Sequence, residues 1–179
     1  MERDIKKVLL SEEQIKNRIA ELGRDLMEDY ADKNPIFVGV LKGVVVFYAD
    51  MIRAFPAPCQ LDFMWISSYK GTHSSDMLVR QDVTADLKGR HVVILEDILD
   101  SGRSLQFTYQ HLLNKGAASV RICTLLDKPE GRKPGITIQA DYVGFTVPNE
   151  FLVGYGLDYN EKYRNLPYVG ILKPEVYEK

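Results

Sequence analysis

The stretch VVILEDILDSGRS, residues 92–104, constrains the fold more than any other part of this 179-residue chain. It begins with four apolar residues that are typical of a buried strand. Two acids follow, and the stretch ends in a segment of Ser, Gly and Arg that leads into a helical pattern. We therefore expect a strand over 91–95, a turn, and then a helix. In open α/β sheets this order places the turn outside the carboxyl end of a strand, where ligands bind.

The rest of the chain alternates strand and helix signals, which indicates an open, mostly parallel α/β sheet. The first signal is a capping box, because Ser11 is followed three residues later by Gln14 and then by apolar residues at helical spacing. The predicted elements are a helix over 11–30, strands over 36–41 and 61–66, a helix from 43 to about 56, a helix that closes at 115–116 and a strand over 120–126.

Two parts of the chain are less regular. The polar segment 67–81, SSYKGTHSSDMLVRQ, lacks clear periodicity at its start and is predicted to be a mobile loop. Short strands are predicted over 142–147, 151–155 and 168–172. Together with the N-terminal helix, these strands are expected to form a small cap over the carboxyl edge of the sheet.

The composition is that of a globular protein, with 45% hydrophobic and 27% charged residues, and the length suits one domain with a proper core. The formal net charge of −2 gives no electrostatic reason to expect nucleic acid or a membrane as the main partner. No apolar run is long enough to span a bilayer, and MERDIKKVLLSEEQ lacks the apolar segment of a secretory signal. Cys59 and Cys123 are interpreted as reduced thiols. A soluble, cytoplasmic protein is expected.

The end of the 92–104 stretch has the properties of an anion site. Backbone N–H groups at the start of a helix are unpaired, and the helix dipole favours an anion there. Gly102 lets the backbone approach a phosphate closely. Ser101, Arg103 and Ser104 lie beside it, at or just before the expected helix start.

Three carboxylates precede this site, and they would repel a ligand that was only a phosphate. A sugar phosphate explains them, because its hydroxyl groups are donors for Glu96 and Asp97, and a bound Mg²⁺ would offset their charge. The alternatives are that these two acids are solvated turn residues, that Ser101 or Ser104 is a simple N-cap, and that Asp100 stabilises the turn.

The same stretch closely resembles the phosphoribosyl-pyrophosphate motif of the type I phosphoribosyltransferases: an apolar strand, two acids, two apolar residues and D-[ST]-G-[KR]-[ST]. The resemblance implies the α/β fold of that family, a mostly parallel central sheet flanked by helices, with a small hood built from the chain ends. It implies a single domain over 1–179, with a core of about 33–140 and a hood from the N-terminal segment and about 141–179. Glu96 and Asp97 would then bind ribose hydroxyls and the metal, and residues 101–104 would bind the 5′-phosphate.

Two further stretches resemble the hypoxanthine-guanine phosphoribosyltransferases within this family. GVLKG at 39–43 resembles their pyrophosphate-binding loop, which implies that Leu41, Lys42 and Gly43 bind phosphoribosyl pyrophosphate. The Leu-Lys peptide is cis in many members of that family, and the sequence alone does not decide the isomer of Leu41–Lys42. The alternative is a strand-to-helix turn with an exposed lysine. SSYKGT at 67–72 resembles the start of their flexible catalytic loop, with Ser68 and Tyr69 as its Ser-Tyr pair, and a plain surface loop is the alternative.

The segment EFLVGYGLDYNEKYRNLP at 150–167 also resembles this group. The resemblance implies that Phe151 stacks on the purine ring and that the backbone of Leu152 reads its 2-position edge. Asp158 would lie near the metal and the pyrophosphate, and Arg164 would contact the pyrophosphate. Without the resemblance, Phe151 would be interpreted as a core residue and Arg164 as a solvated one.

Lys128 and Asp100 complete the expected site. Lys128, in LLDKPEG, falls where the family places the lysine that donates to the purine 6-oxo group. A lysine has donors and no acceptor, so it favours a 6-oxo over a 6-amino purine. A surface lysine before a proline turn is the alternative. The resemblance places Asp100 near purine N7, as general base or proton partner.

The resemblance thus implies a purine-salvage enzyme with Mg²⁺ as its cofactor. It would transfer the phosphoribosyl group from phosphoribosyl pyrophosphate to hypoxanthine or guanine, giving IMP or GMP and pyrophosphate, and it would be a homodimer or homotetramer. Two alternatives stay open, a xanthine-preferring enzyme and a nucleotide-sensing RNA-binding regulator on the same fold. The near-neutral charge and the joint presence of Asp100, Lys128 and Asp158 argue against the regulator.

Overall fold

The computed structural model describes residues 1–68 and 77–178, and in this part of the chain two sheets carry the architecture. The large sheet has six strands in the order β4-β3-β2-β5-β6-β7, and the small sheet has three in the order β1-β9-β8. The strands are β1 (Ile5–Leu10), β2 (Ile36–Leu41), β3 (Gln60–Ser68), β4 (Met77–Gln81), β5 (His91–Leu99), β6 (Ser119–Asp127), β7 (Tyr142–Thr146), β8 (Leu152–Val153) and β9 (Val169–Leu172). The helices are α1 (Glu12–Tyr30), α2 (Val45–Arg53), α3 (Arg103–Asn114) and the single turn α4 (Pro174–Tyr177).

The large sheet is parallel except for β4, which pairs antiparallel with β3. Helices α1 and α2 pack on one face of this sheet, and α3 packs on the other. Parallel strands bury both faces, so they are apolar along most of their length, as the fully buried middle of β5 illustrates. The α/β class and the mostly parallel sheet that the sequence predicts are therefore confirmed.

Helix α1 begins where the capping box predicts. The Ser11 hydroxyl accepts a hydrogen bond from the Gln14 N–H at 3.2 Å, and the Gln14 side chain accepts one from the Ser11 N–H at 2.9 Å. One face of α1 is buried in the main core, and its members recur at helical spacing: Ile15, Ile19, Leu22, Leu26 and Tyr30. This apolar stripe holds α1 against the large sheet.

Strand β5 extends four residues beyond the predicted strand and ends at Leu99. Its pairing with β6 continues to the end, where Leu99 lies opposite Asp127. Glu96 and Asp97 are therefore strand residues, and the alternative that they are solvated turn residues is wrong. The sequence signal stops early because the side chains at this end of the strand face a cleft and not the apolar core.

The prediction of a mobile loop over 67–81 is wrong at both ends. Ser67 and Ser68 are the last residues of β3, and 77–81 form β4, which pairs with them. An edge strand has solvent beside it, so a polar sequence there is compatible with sheet pairing. Residues 69–76, including Tyr69, lie outside the described residues.

The strand predicted over 142–147 does not belong to a cap, because β7 pairs in parallel with β6 at the edge of the large sheet. Arg18 of α1 covers the outer side of β7, donating hydrogen bonds to the carbonyls of Val143 and Gly144 at 2.8 and 2.9 Å. The large sheet thus extends beyond the expected boundary near residue 140, and α1 packs on it rather than forming part of a cap. The small sheet takes β1 from one chain end and β8 and β9 from the other.

Within residues 1–68 and 77–178, no helix is long and apolar enough to cross a membrane.

Candidate active site

A cleft of about 660 Å³ lies at the carboxyl ends of β2, β5 and β6, with the segment around β8 forming its other wall. This is the edge at which open α/β sheets bind ligands. Most of the residues singled out in the sequence line it: Leu41, Lys42, Gly43, Glu96, Asp97, Asp100, Ser101, Gly102, Ser104, Lys128, Phe151, Leu152, Asp158 and Arg164. Four stretches that are far apart in sequence therefore meet at one site.

Two of the singled-out residues lie elsewhere. Arg103 is an exposed residue at the start of α3, and it lines a separate cavity with Gln106 and Ile136. Its side chain points away from the cleft, so only its backbone contributes to the helix end that faces the cleft. Ser68 is exposed at the end of β3 and is not among the residues that line the cleft.

The turn between β5 and α3 is built around Gly102. This residue is the N-cap of α3, with a positive φ of 79°, and no side chain caps the helix. A Cβ on Gly102 would lie 2.5 Å from Ile136 Cγ2, so glycine is required by both conformation and space. The alternative in which Ser101 or Ser104 is the N-cap is wrong. The first-turn N–H groups of α3 have no capping side chain, which suits an anion.

The loop after β2 is pressed between β5 and the segment around β8. A Cβ on Gly43 would lie 2.1 Å from the Asp97 carboxylate, and one on Gly156 would lie 2.0 Å from the Gly43 carbonyl oxygen. The Leu41–Lys42 peptide, whose isomer the sequence left open, is cis. Small residues at these contacts let the loop approach the acids at the floor of the cleft.

Glu96 and Asp97 are adjacent acids on this floor. Burial and the neighbouring Asp97 charge raise the pKa of Glu96 well above its usual range. Burial also raises the pKa of Asp97, although its carboxylate accepts a hydrogen bond from the Ile98 N–H at 2.9 Å. Two buried acids of this kind gain most from a ligand that brings hydroxyl donors or a cation.

Lys128 and Asp100 form an ion pair in the wall of the cleft. The Lys128 ammonium nitrogen lies 2.8 Å from the Asp100 carboxylate and 3.5 Å from the Glu150 carbonyl oxygen. Lys128 is 9% exposed, so the alternative of a surface lysine is wrong. The Asp100 side chain is 45% exposed and opens toward the cleft.

Arg132 ties these two residues together and was not singled out in the sequence. Its guanidinium donates to the backbone carbonyls of Leu99, Asp100 and Lys128, and it forms an ion pair with the Asp127 carboxylate. A single arginine in the segment EGRKPG gives no periodic or motif signal, so sequence reasoning had no ground on which to select it.

An aromatic group lies at one end of the cleft. The rings of Phe151 and Tyr177 stack with centroids 4.7 Å apart, and Tyr159 meets Phe151 edge-on at 5.5 Å. Phe151 is half-buried and lines the cleft, so it is more than a core residue. Leu152 is buried and pairs with Ile171 in the small sheet. Tyr177 was missed because the last residues carry no pattern that points to a site.

Arg164 and Lys42 provide the cationic end of the cleft. The Arg164 guanidinium donates to the Gly156 carbonyl at 2.8 Å and lies 3.2 Å from Asp158. Both Arg164 and Lys42 lie 3.3 Å from the Glu161 carboxylate. In the part of the chain that the structure describes, the buried Nε of Arg164 has no hydrogen-bond acceptor. Arg164 is thus a bound, half-buried cation with a donor to spare, and the alternative of a solvated arginine is wrong.

The donor set fits a metal ion that arrives with its substrate. Within residues 1–68 and 77–178, no group of three or more His, Cys, Asp or Glu side chains is arranged to hold a metal ion. Mg²⁺ in proteins is commonly bound by one or two carboxylates together with substrate oxygens and waters. The paired acids Glu96 and Asp97 meet that requirement.

The site combines paired acids, a glycine-centred helix start and a cationic loop at the edge of a mostly parallel sheet. These features define a class of enzyme that binds sugar phosphates at the sheet edge. The model of the phosphoribosyl transferase domain matches residues 7–160. The chain belongs to this family.

Relatives cover the whole length of the chain. A hypoxanthine-guanine phosphoribosyltransferase of Streptococcus pneumoniae is 54% identical over 179 residues, covering 99% of this chain and 98% of its own. The crystal structure of a hypoxanthine phosphoribosyltransferase from Staphylococcus aureus matches with a TM-score of 0.95 at 46% identity, covering 100% of this chain and 97% of its own. A hypoxanthine phosphoribosyltransferase from Trypanosoma cruzi, in complex with the product IMP, matches with a TM-score of 0.91 at 38% identity over 97% of both chains.

Proposed function

We propose that this protein is a purine-salvage enzyme that transfers the 5-phosphoribosyl group from phosphoribosyl pyrophosphate to hypoxanthine or guanine. The products are IMP or GMP and pyrophosphate. The observation that carries the proposal is one cleft that combines the acidic pair Glu96–Asp97, the helix start at Gly102, the cations Lys42 and Arg164, and a buried lysine. Relatives that are about half identical over the whole chain bear the names of this activity. The chain acts as a single phosphoribosyltransferase domain.

Phosphoribosyl pyrophosphate presents three chemical groups that fit three parts of the cleft. Its 5′-phosphate fits the first-turn N–H groups of α3 and the hydroxyls of Ser101 and Ser104. Its ribose hydroxyls fit Glu96 and Asp97, which are acceptors. Its diphosphate fits the loop around Lys42 and the spare donor of Arg164.

We infer that Mg²⁺ is the cofactor, bound mainly through substrate oxygens and waters, with Glu96 and Asp97 on the floor of the cleft and Asp158 on its other wall as the carboxylates near it; these three do not form one preformed metal cluster. When bound, it neutralises charge on the departing pyrophosphate. The chain's own part is to hold C1′ of the sugar against the purine nitrogen, which is chiefly a positioning effect. Ser68 and Tyr69 would belong to the segment that covers the site and excludes water during the reaction.

Recognition of the base is assigned to Lys128, Phe151 and Leu152. The Lys128 ammonium is fixed near the aromatic end of the cleft and has only donors, so it matches a 6-oxo group and not a 6-amino group. Phe151 offers an aromatic ring for stacking, and the Leu152 backbone reads the 2-position edge. A purine would take over the bond that Lys128 makes with Asp100.

Asp100 is assigned to the proton transfer. A carboxylate near purine N7 accepts the ring proton that is lost when the new bond to C1′ forms. The same negative charge stabilises the purine as it loses this proton. Asp100 is free to do so because its side chain is nearly half exposed to the cleft and held by a lysine that the base itself would engage.

The two alternatives are not favoured. The relatives that are 50–54% identical and match over nearly their whole length are named for hypoxanthine and guanine, and the cleft holds both the acid and the lysine that the proposed reaction requires. A xanthine preference and a regulatory RNA-binding role have no comparable support in the chain.

The assembly that the family implies is a homodimer or homotetramer. The face of β3 and β4 carries exposed apolar side chains, Leu61, Trp65 and Leu78, which support an interface there. Sedimentation of the purified protein decides between a dimer, a tetramer and a monomer.

The test is a coupled assay on the purified protein. It is mixed with phosphoribosyl pyrophosphate and Mg²⁺, and hypoxanthine, guanine, xanthine, adenine or orotate is added separately while nucleotide formation is followed. Turnover with hypoxanthine and guanine, with none for adenine or without Mg²⁺, is expected. Faster turnover with xanthine would favour the first alternative, and absence of turnover with every base would refute the enzymatic proposal.

A further inference from the structure

The guanidinium of Arg132 joins the two loops that carry the proposed catalytic and base-recognition groups. Its Nη1 atom lies 2.6 Å from the Leu99 carbonyl, 3.0 Å from the Asp100 carbonyl and 3.1 Å from the Lys128 carbonyl. Its Nη2 atom pairs with the carboxylate of Asp127. One side chain thus binds three backbone carbonyls from two different loops.

The position of Arg132 extends the pairing of two adjacent strands. Leu99 and Asp127 are the last residues of β5 and β6 and lie opposite each other, and the Lys128 N–H donates to the Leu99 carbonyl at 3.0 Å. Beyond this pair the strands diverge into separate loops, which the backbone joins again where the Lys133 N–H donates to the Ser101 carbonyl at 3.1 Å. Between these two points the guanidinium adds the hydrogen bonds to the carbonyls of Asp100 and Lys128.

The chemistry of this contact requires an arginine. A guanidinium is planar and holds two terminal nitrogens in a fixed fork, so Nη1 faces the three carbonyls while Nη2 pairs with Asp127, whereas a lysine carries one compact charge on a flexible stem. A lysine here has one nitrogen, which cannot take both positions at once. Carbonyls that lose these hydrogen bonds are free to shift, and the side chains of Asp100 and Lys128 shift with their backbone.

We propose that Arg132, oriented by Asp127, is a positioning residue that sets the spacing between Asp100 and Lys128. The inference rests on the proposed function, because it assigns Asp100 to the proton transfer and Lys128 to the purine. Arg132 is part-buried behind the loops and does not line the cleft. We expect its influence to be greatest on the purine half of the cleft, because the start of α3 is also held by its own backbone bond from Gln106 to Gly102.

Arg132→Lys tests the inference, with Arg18→Lys as the matched control. Arg18 has the same type of environment: its guanidinium binds the carbonyls of Val143 and Gly144 and a carboxylate, Glu21, but on the outer side of β7. For Arg132→Lys we expect kcat with hypoxanthine to fall and the purine KM to rise, each about tenfold, since displacement of reacting groups by a fraction of an ångström is costly. The KM for phosphoribosyl pyrophosphate is expected to change less than twofold, and Arg18→Lys less than twofold in all three constants.

The inference would be overturned if Arg132→Lys raised the KM for phosphoribosyl pyrophosphate as much as the purine KM. It would also be overturned if kcat and the purine KM were unchanged. Should Arg132→Lys not fold, Asp127→Asn replaces it, because the amide keeps the shape and removes the charge that orients the guanidinium. That variant is expected to raise the purine KM about threefold with the KM for phosphoribosyl pyrophosphate unchanged, and wild-type constants in it refute the inference. Turnover by the wild type and by Arg18→Lys separates this outcome from a failure of the proposed function, in which neither protein would turn over any base.

Discussion

Gly131 occupies a position where a single methyl group should disable the proposed chemistry without unfolding the protein. A Cβ on Gly131 would lie 1.8 Å from Oδ1 of Asp100 and 3.1 Å from Cε of Lys128. Gly131 does not have a positive φ, so alanine is compatible with its backbone conformation. The clash is with the end of a half-exposed side chain, which can turn into the cleft instead of disrupting the core.

The displacement in Gly131→Ala follows from the contact distances. Ordinary contact with a Cβ begins at 3.4 Å, so the Asp100 carboxylate must move by about 1.6 Å, which also breaks its 2.8 Å ion pair with Lys128. A misplacement of about 1 Å in a reacting group costs on the order of 10²-fold in rate. We expect kcat with hypoxanthine to fall about 100-fold. The melting temperature should stay close to that of the wild type, because alanine also restricts the unfolded chain.

The assay for Gly131→Ala compares steady-state kcat with the binding of phosphoribosyl pyrophosphate measured by calorimetry. Binding is expected within about threefold of the wild type, since the anion sites lie on other loops. Gly135→Ala is the matched control in the same loop, because its Cβ would meet nothing within 4 Å and only its positive φ of 82° is strained. A wild-type kcat in Gly131→Ala, or an equal loss in Gly135→Ala, would refute the reasoning.

Three further perturbations test separate parts of the molecule. Asp100→Asn is expected to keep phosphoribosyl pyrophosphate binding and lose most turnover, and a wild-type kcat would remove Asp100 from the mechanism. Lys128→Ala is expected to raise the KM for hypoxanthine and guanine far more than that for phosphoribosyl pyrophosphate, whereas equal effects would indicate a structural role. Burial acts to raise the pKa of Asp82, but hydrogen bonds with His111 and Lys115 outweigh it and lower the pKa. A carboxyl group whose pKa is lower in the folded than in the unfolded chain stabilises the fold at a pH above its unfolded pKa, and this stabilisation is lost as the pH falls through its folded pKa. Asp82→Asn should therefore lower the unfolding free energy by about 0.5 kcal/mol at pH 7. This difference should vanish in melting curves well below pH 4, and a difference that persists there would contradict the assignment.

Local patterns were sufficient to predict the elements that bury an apolar face. Helix α1 has a capping box and a periodic stripe, and its bounds are those expected. The patterns failed where strand residues face something other than the core. β5 continues past its apolar run because Glu96 and Asp97 face the cleft, and β4 is an edge strand of five residues, MLVRQ, which is too short to show a period. A rule based on apolar periodicity has no means of detecting either case.

The site was predictable to the extent that its residues sit in contiguous motifs. The anion turn and the acidic pair come from one stretch of sequence, and physical reasoning from residue types already pointed to a sugar phosphate. Arg132 and Tyr177 were missed because their roles come from tertiary contacts with Lys128 and Phe151, and no spacing in the sequence encodes those contacts. The roles proposed for Phe151 and Lys128 were available only through the family resemblance.

The charges of the cleft explain why carboxylates introduce an anion site. Among the residues that the structure describes, three cations of the cleft are already paired within the protein: Lys128 with Asp100, Arg164 with Asp158, and Lys42 with Glu161. A ligand therefore gains little from charge alone, because it must replace a partner that is already in place. An isolated phosphate can make only one such exchange, whereas phosphoribosyl pyrophosphate with a metal and a purine can satisfy the acids at 96 and 97 and the cations together. The internal ion pairs therefore favour phosphoribosyl pyrophosphate bound together with a metal and a purine over simple anions. A basic cleft without such pairs would lack this selectivity.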